Sequence, residues 1–339
     1  MTLTAKHVPG SVELMKLKSA AVVGETIAQV CTRRLLRGPR HPSWSLHTEF
    51  SSAILKRQLQ VAFQMQDVER ARIYLDALPV PYRTSSGRKK LEVQTDRFKG
   101  SWSLPESDRW SRTVLYLHGG GYSFYPRVFY DDFAGQLGEI SDARVFSLDY
   151  GLAPEHRFPS QLTEAVHAYN WLLKYCGDAS NLVLMGDSAG GNLALALLLH
   201  LRAEKLDFPA LTVCLSPATD FRNSVRIADS PLDWITPAMA LRWADWYCTP
   251  AQRHNPLVSP VLADLSGLPR IYVQAGCAEM LFDSIQAFVT RAHAHGVEIA
   301  LDAWPAMNHD FQAFGHRTEQ SAAALKLIGM KVAGRGDIA

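Results

Sequence analysis

Six consecutive residues, Gly186-Asp187-Ser188-Ala189-Gly190-Gly191, constrain the fold of this chain more than any other feature. They join a short apolar run rich in β-formers, residues 182–185, to a helical stretch, residues 189–202. A serine held between glycines at a strand-to-helix junction implies a sharp, strained turn. The glycines let the strand and helix backbones close on each other, and the turn pushes the serine hydroxyl outward. The positive end of the helix then lies where an anionic oxygen would form.

The surrounding sequence supplies the setting that such a turn needs. Short apolar runs at 113–117, 144–148, 182–185, 211–215, 271–274 and 298–303 alternate with helical patterns at 161–175, 189–202 and 284–295. That alternation predicts a mainly parallel sheet with helices on both faces, and a site on loops beyond the carboxyl ends of the strands. The first 82 residues break the pattern and read as helical. Residues 44–65 carry Leu46, Phe50, Ile54, Leu55 and Leu59 at helical spacing, with Ser43 as a candidate N-cap. A second helix over 68–78 ends before Pro79 and Pro81, and 84–90 reads as a polar turn. Residues 220–250, with Trp234, Trp243, Trp246 and Tyr247, read as a helical insert. The expected organisation is therefore a helical cap region over 1–82 and an α/β domain over 83–335 that carries a cap insert.

A second glycine cluster, His118-Gly119-Gly120-Gly121, directly follows the run at 113–117. Glycines there let the backbone approach a ligand and turn its N–H groups inward, as stabilisation of a developing oxyanion requires. The bulky residues behind it, Tyr122, Phe124 and Tyr125, are candidates to line and narrow a pocket. Packing of these rings beneath the cap is the competing reading.

With the serine motif about 70 residues after the glycine cluster, the chain resembles the hormone-sensitive-lipase-like group of α/β-hydrolases, the bacterial family IV esterases. Asp149-Tyr150-Gly151-Leu152-Ala153-Pro154-Glu155 is similar to a segment of that family in which arginine usually stands at the position of Gly151. Residues 255–260 and Met307-Asn308-His309-Asp310-Phe311 extend the resemblance, which runs from about residue 110 to 315. The resemblance implies an α/β-hydrolase fold, Ser188 as nucleophile and His309 as base. It favours Glu279 over Asp283 as the acid, although most relatives carry aspartate there. It further implies an oxyanion hole of the Gly120, Gly121 and Ala189 amides, with His118, Gly119 and Asp187 in support. His293 and His295, on an amphipathic stretch, read as surface residues. The implied activity is hydrolysis of small to medium acyl esters through an acyl-enzyme. An acyltransferase or amidase would use the same residues. A binding protein of the kind that has lost its histidine fits less well, since Ser188, Glu279 and His309 are all present.

Composition removes other classes. The 35 Lys+Arg nearly balance the 33 Asp+Glu, so no strong field attracts nucleic acid or an anionic membrane. The arginines at 33, 34, 37 and 40 read as a solvated helix end. Five scattered cysteines without a CxxC fit a reducing, cytoplasmic setting. The apolar piece at 20–30 is interrupted by Glu25 and does not read as a secretory signal. No apolar run approaches the ~18 residues that would span a bilayer. The longest, 193–201, reads as a buried helix. No metal-binding or dinucleotide pattern is present, so no cofactor is expected, and the expected partner is a small-molecule ester. A homodimer is left open.

Overall fold

The computed structural model of the chain describes residues 9–77, 88–105, 110–125, 127–222 and 230–335. They fall into two compact units, one within residues 1–84 and one within 85–339.

The first unit consists of α1 (Pro9–Arg37), α2 (Leu46–Gln64) and α3 (Val68–Asp76). The N-cap of α2 is Ser45, whose hydroxyl accepts the Thr48 N–H at 3.1 Å, and not Ser43, which hydrogen-bonds to His41. The buried positions of α2 also depart from the apolar stripe. Thr48, Glu49, Ser52 and Gln58 are buried while Leu46 is exposed. Glu49 explains part of this inversion. It forms ion pairs with Arg33 and Arg34, which are thereby drawn inward and do not form a solvated helix end. Gln58 likewise ties α2 to α1, donating to the Ser19 carbonyl at 3.0 Å.

The second unit is built on an eight-stranded sheet: β1 (Lys89–Gln94), β2 (Lys99–Leu104), β3 (Arg112–Leu117), β4 (Ala143–Leu148), β5 (Leu182–Asp187), β6 (Leu211–Leu215), β7 (Ile271–Gly276) and β8 (Ile299–Trp304). The order is β1-β2-β4-β3-β5-β6-β7-β8. The six strands from β4 to β8 pair in parallel and correspond to the six apolar runs of the sequence. Those at the centre are buried on both faces, which is why they read as continuous apolar runs. β1 and β2 form an antiparallel edge that the sequence did not reveal. β1 is almost wholly exposed and charged, with Lys89, Lys90 and Glu92, as an edge strand should be. The turn read at 84–90 therefore gives way at Lys89 to strand; residues 84–87 lie outside the described residues.

Among the described residues, six α-helices complete this unit: α4 (Asp131–Ser141), α5 (Ser160–Cys176), α6 (Ala189–Ala203), α7 (Pro237–Tyr247), α8 (Phe282–Ala294) and α9 (Glu319–Val332). One face of the sheet packs Val114, Val145, Val183 and Val213 against Leu137 of α4 and Leu325 and Ile328 of α9. α6 is buried on nearly all sides from Leu193 to Leu201. α7 is the helical part of the 220–250 insert, started by Thr236 as N-cap and Pro237 in the first turn; 223–229 lie outside the described residues. β3 and β5 are neighbours, but the chain leaves β3 towards β4 and leaves β5 towards β6, on opposite sides. Their carboxyl ends therefore open a crevice, the usual ligand position in such sheets. Among the described residues no helix is long and apolar enough to cross a membrane.

Candidate active site

The loop His118–Gly121 leaves β3 and the turn at Ser188 leaves β5, so both glycine motifs meet at that crevice. Ser188 sits at φ 51°, ψ −115°, a conformation that side chains rarely adopt. Three backbone bonds hold it there: its N–H donates to the Leu215 carbonyl at 2.8 Å, and its carbonyl accepts the Ala218 and Asn192 N–H groups, each at 3.0 Å. The glycines around it are required by contact. A Cβ on Gly186 would lie 2.2 Å from the Gly190 carbonyl oxygen, and one on Gly190 would lie 2.0 Å from that of Leu117. Ala189 is the first residue of α6, so its N–H has no acceptor within the helix and lies beside Ser188.

His309 lies between β8 and α9. Its Nε2 is 2.8 Å from Ser188 Oγ, and its Nδ1 is 3.2 Å from Glu279 Oε2. Glu279 comes from the loop between β7 and α8. Asp283, the competing acid, is exposed in the first turn of α8. His293 is exposed, and His295 is a helix-end residue whose Nδ1 accepts the Leu265 N–H at 2.9 Å. Burial pushes Glu279 up to about 7, against the opposing pull of hydrogen bonds from His309 and Ser216. Burial alone would depress His309, but Asp310 and then Glu279 outweigh it and hold the imidazole well above its ordinary value.

Several residues that the sequence reading passed over fasten this arrangement. Asp233, in the 220–250 insert, accepts the main-chain N–H of His309 at 3.1 Å with Oδ1 and that of Met280 at 2.8 Å with Oδ2. One carboxylate thus joins the loop of His309 to the loop of Glu279. Trp234 donates its indole N–H to the His309 carbonyl at 2.7 Å, with its ring 5.1 Å from the imidazole. Ser216 accepts the Asp310 N–H at 3.2 Å. No periodicity or motif marks Asp233 or Ser216; only the crowding of aromatics around Trp234 set that stretch apart.

The supporting residues brace the glycine loop. The His118 ring stacks on Tyr150 at 4.1 Å and 5°. Burial lowers its pKa to about 4, so it is neutral and donates Nδ1–H to the Gly119 carbonyl at 2.9 Å. Asp187 accepts the Tyr116 phenol at 2.5 Å and presses against Gly119, where a Cβ would meet its Oδ2. Gly151 has its own reason: the His156 ring occupies the space that a Cβ would take.

A cavity of about 470 Å³, counting its open mouth, lies against Ser188 and Ala189 and is walled by Gly121, Phe221, Ile235, Trp243 and Leu281. Tyr122, Phe124 and Tyr125 are not in that wall. Tyr122 stacks on Tyr247 at 3.8 Å and bonds Asn192 at 2.7 Å; Phe124 packs edge-on to Trp243 and Trp246; Tyr125 packs edge-on to Phe129. Phe124 backs the wall at Trp243 and Tyr122 backs it at Phe221.

Residues 114–313 match a family model described as the alpha/beta hydrolase fold. An acetyl-hydrolase of Streptomyces hygroscopicus is 33% identical over 64% of this chain and 74% of its own length. An ethyl acetate hydrolase of Pseudomonas putida is 32% identical over 63% of this chain and 70% of its own. Among solved structures, a hormone-sensitive lipase from a metagenome library is 32% identical, with a TM-score of 0.76 over 84% of this chain and 97% of that one.

Proposed function

The chain belongs to the hormone-sensitive-lipase-like esterases of the α/β-hydrolase-fold family, and from that footing we propose that it hydrolyses small to medium carboxylic esters through an acyl-enzyme on Ser188. The observation that carries this reading is the buried line Ser188 Oγ–His309–Glu279, with contacts of 2.8 and 3.2 Å. His309 Nε2 takes the Oγ proton as Oγ attacks the ester carbonyl. The amides of Gly120, Gly121 and Ala189 receive the negative oxygen. Glu279 accepts Nδ1–H, which fixes the tautomer and offsets the charge of the imidazolium. The alcohol leaves with the proton from Nε2, and water repeats the sequence on the acyl-enzyme. The apolar wall of Phe221, Ile235, Trp243 and Leu281 suits an acyl group of limited length.

Replacing Ser188 by alanine tests the reading. With p-nitrophenyl butyrate, kcat should fall by about 10⁴-fold or more while the melting temperature stays close to that of the wild type. Mass spectrometry of wild-type protein quenched during turnover should find butyryl on Ser188. A variant that keeps half the wild-type rate would remove Ser188 from the mechanism. Product analysis with added alcohols or amines separates hydrolysis from acyl transfer.

A further inference from the structure

The reactive nitrogen of His309 has a second neighbour. Asp310 Oδ2 lies 3.2 Å from His309 Nε2, the same atom that faces Ser188 Oγ at 2.8 Å. Asp310 is only 8% exposed, so its carboxyl is withdrawn from bulk water. Its Oδ1 has no hydrogen-bond partner among the described residues, which leaves the histidine nitrogen as the polar contact of this side chain. The backbone imposes the placement: Asp310 is left-handed, at φ 47°, and its N–H is held by Ser216 Oγ. A carboxylate this close to a neutral imidazole gains little from it, whereas the same carboxylate beside an imidazolium is attracted by its charge. The contact is therefore worth most in the state where Nε2 carries a proton.

We propose that Asp310 is a second carboxylate acting on the base, and that it holds the Nε2 proton on His309 between its arrival from Ser188 and its departure with the leaving alcohol. The inference rests on the roles given above to Ser188 and His309. During attack the proton passes from Oγ to Nε2, and the positive charge this creates on the imidazole lies beside Asp310 Oδ2. No proton is transferred to Asp310; it supplies charge. The proton then goes to the alkoxide oxygen, and the neutral imidazole is restored. Glu279 performs the matching task at Nδ1.

The other groups that face His309 leave this role to Asp310. Glu279, from the loop after β7, is engaged at Nδ1. Asp233, from the insert, accepts main-chain N–H groups. Asp187, at the end of β5, is bound to the Tyr116 phenol, and burial followed by the charge of Asp310 raises it well above the carboxylate range. Burial keeps the phenols of Tyr116 and Tyr130 neutral. Trp234 contributes an uncharged ring.

The test compares kcat/KM against pH for the wild type and Asp310→Asn, with a near-ultraviolet spectrum to establish folding. Removing the charge should move the acid limb to lower pH. At pH 6 the variant should then retain at least about threefold more of its own plateau than the wild type retains, even where that plateau is lower. Superimposable acid limbs would overturn the proposal and leave Asp310 a structural residue. If Asp310→Asn does not fold, nitrogen-15 histidine spectra of the wild-type protein decide instead. His309 Nε2 should remain protonated above pH 6.5, and titration at or below that value overturns the proposal. The spectra do not depend on turnover, whereas Ser188→Ala reads the esterase assignment alone, so the two can fail separately.

Discussion

Glu279→Gln is the perturbation that most directly probes how the base is set. The substitution keeps volume and shape in a fully enclosed position, so it removes charge without opening a cavity. On the proposed mechanism, Glu279 Oε2, 3.2 Å from Nδ1, keeps the proton there and leaves Nε2 free to accept from Ser188. A neutral amide loses that preference, and its NH₂ group can donate to Nδ1. The proton then moves to Nε2, where Asp310 at 3.2 Å welcomes it. His309 would be locked in the tautomer that cannot take a proton from Oγ. The presence of Asp310 therefore places the expected loss at the severe end for the proposed triad acid, about 10³–10⁴-fold in kcat/KM, or ~4–5.5 kcal/mol of transition-state stabilisation. The assay is initial-rate hydrolysis of p-nitrophenyl butyrate, with Asp283→Asn as control. Asp283 is exposed at the start of α8, so its loss should change the rate by no more than about twofold. A Glu279→Gln enzyme within tenfold of the wild type, or a crippled Asp283→Asn enzyme, would refute the reasoning.

Trp243→Ala should shift acyl preference towards longer chains, because the Trp243 ring walls the cavity and stands where a Cβ on Gly121 would be, 2.9 Å away. The kcat/KM ratio of decanoate to butyrate esters should rise roughly tenfold, and an unchanged chain-length series would remove Trp243 as the limit. Asp233→Asn turns one of two accepting oxygens into a donor that faces the His309 or Met280 N–H. An unpaired buried N–H costs ~1–3 kcal/mol, so the melting temperature should drop by a few degrees and kcat should fall with KM little changed.

The legibility of this chain follows the physics of its parts. The central parallel strands were readable because burial on both faces makes them continuous apolar runs, and the turn at Ser188 was readable because backbone contact forces glycine at 186 and 190. β1 was not readable, since an edge strand made of Lys89, Lys90 and Glu92 has no apolar pattern to show, and β2 was not because it buries Gly100, Ser101 and Ser103, which are not apolar side chains. α2 misled for a related reason: its apolar residues suggested one buried face, while the ion pairs of Glu49 buried another. At the site, the motif residues were visible because their backbone geometry restricts their identity. Asp233 and Ser216 were not, because a hydrogen bond between distant loops leaves no local trace. The aromatics after the glycine loop were visible, but their direction was not. The stacking of Tyr122 on Tyr247 depends on a helix more than 100 residues away in sequence.

Four carboxyl groups, Asp187, Asp233, Glu279 and Asp310, are buried around one imidazole, and they cannot all be charged alike. Their surroundings divide the work. Asp187 braces the glycine loop with the Tyr116 phenol as its donor, and burial followed by the charge of Asp310 raises it well above the carboxylate range. Asp233 has the opposite surroundings: the N–H groups of Trp234, Met280 and His309 converge on it and compensate, within the backbone, for the burial that raises it. Glu279 and Asp310 lack such backbone compensation and depend on His309 from its two sides. Their attraction to the imidazole therefore strengthens when it takes a proton, and weakens when it gives the proton up. Electrostatic support of that kind favours the charged intermediate over the resting state, as catalysis requires. A similar contrast of environments separates like residues into different roles in other enzymes.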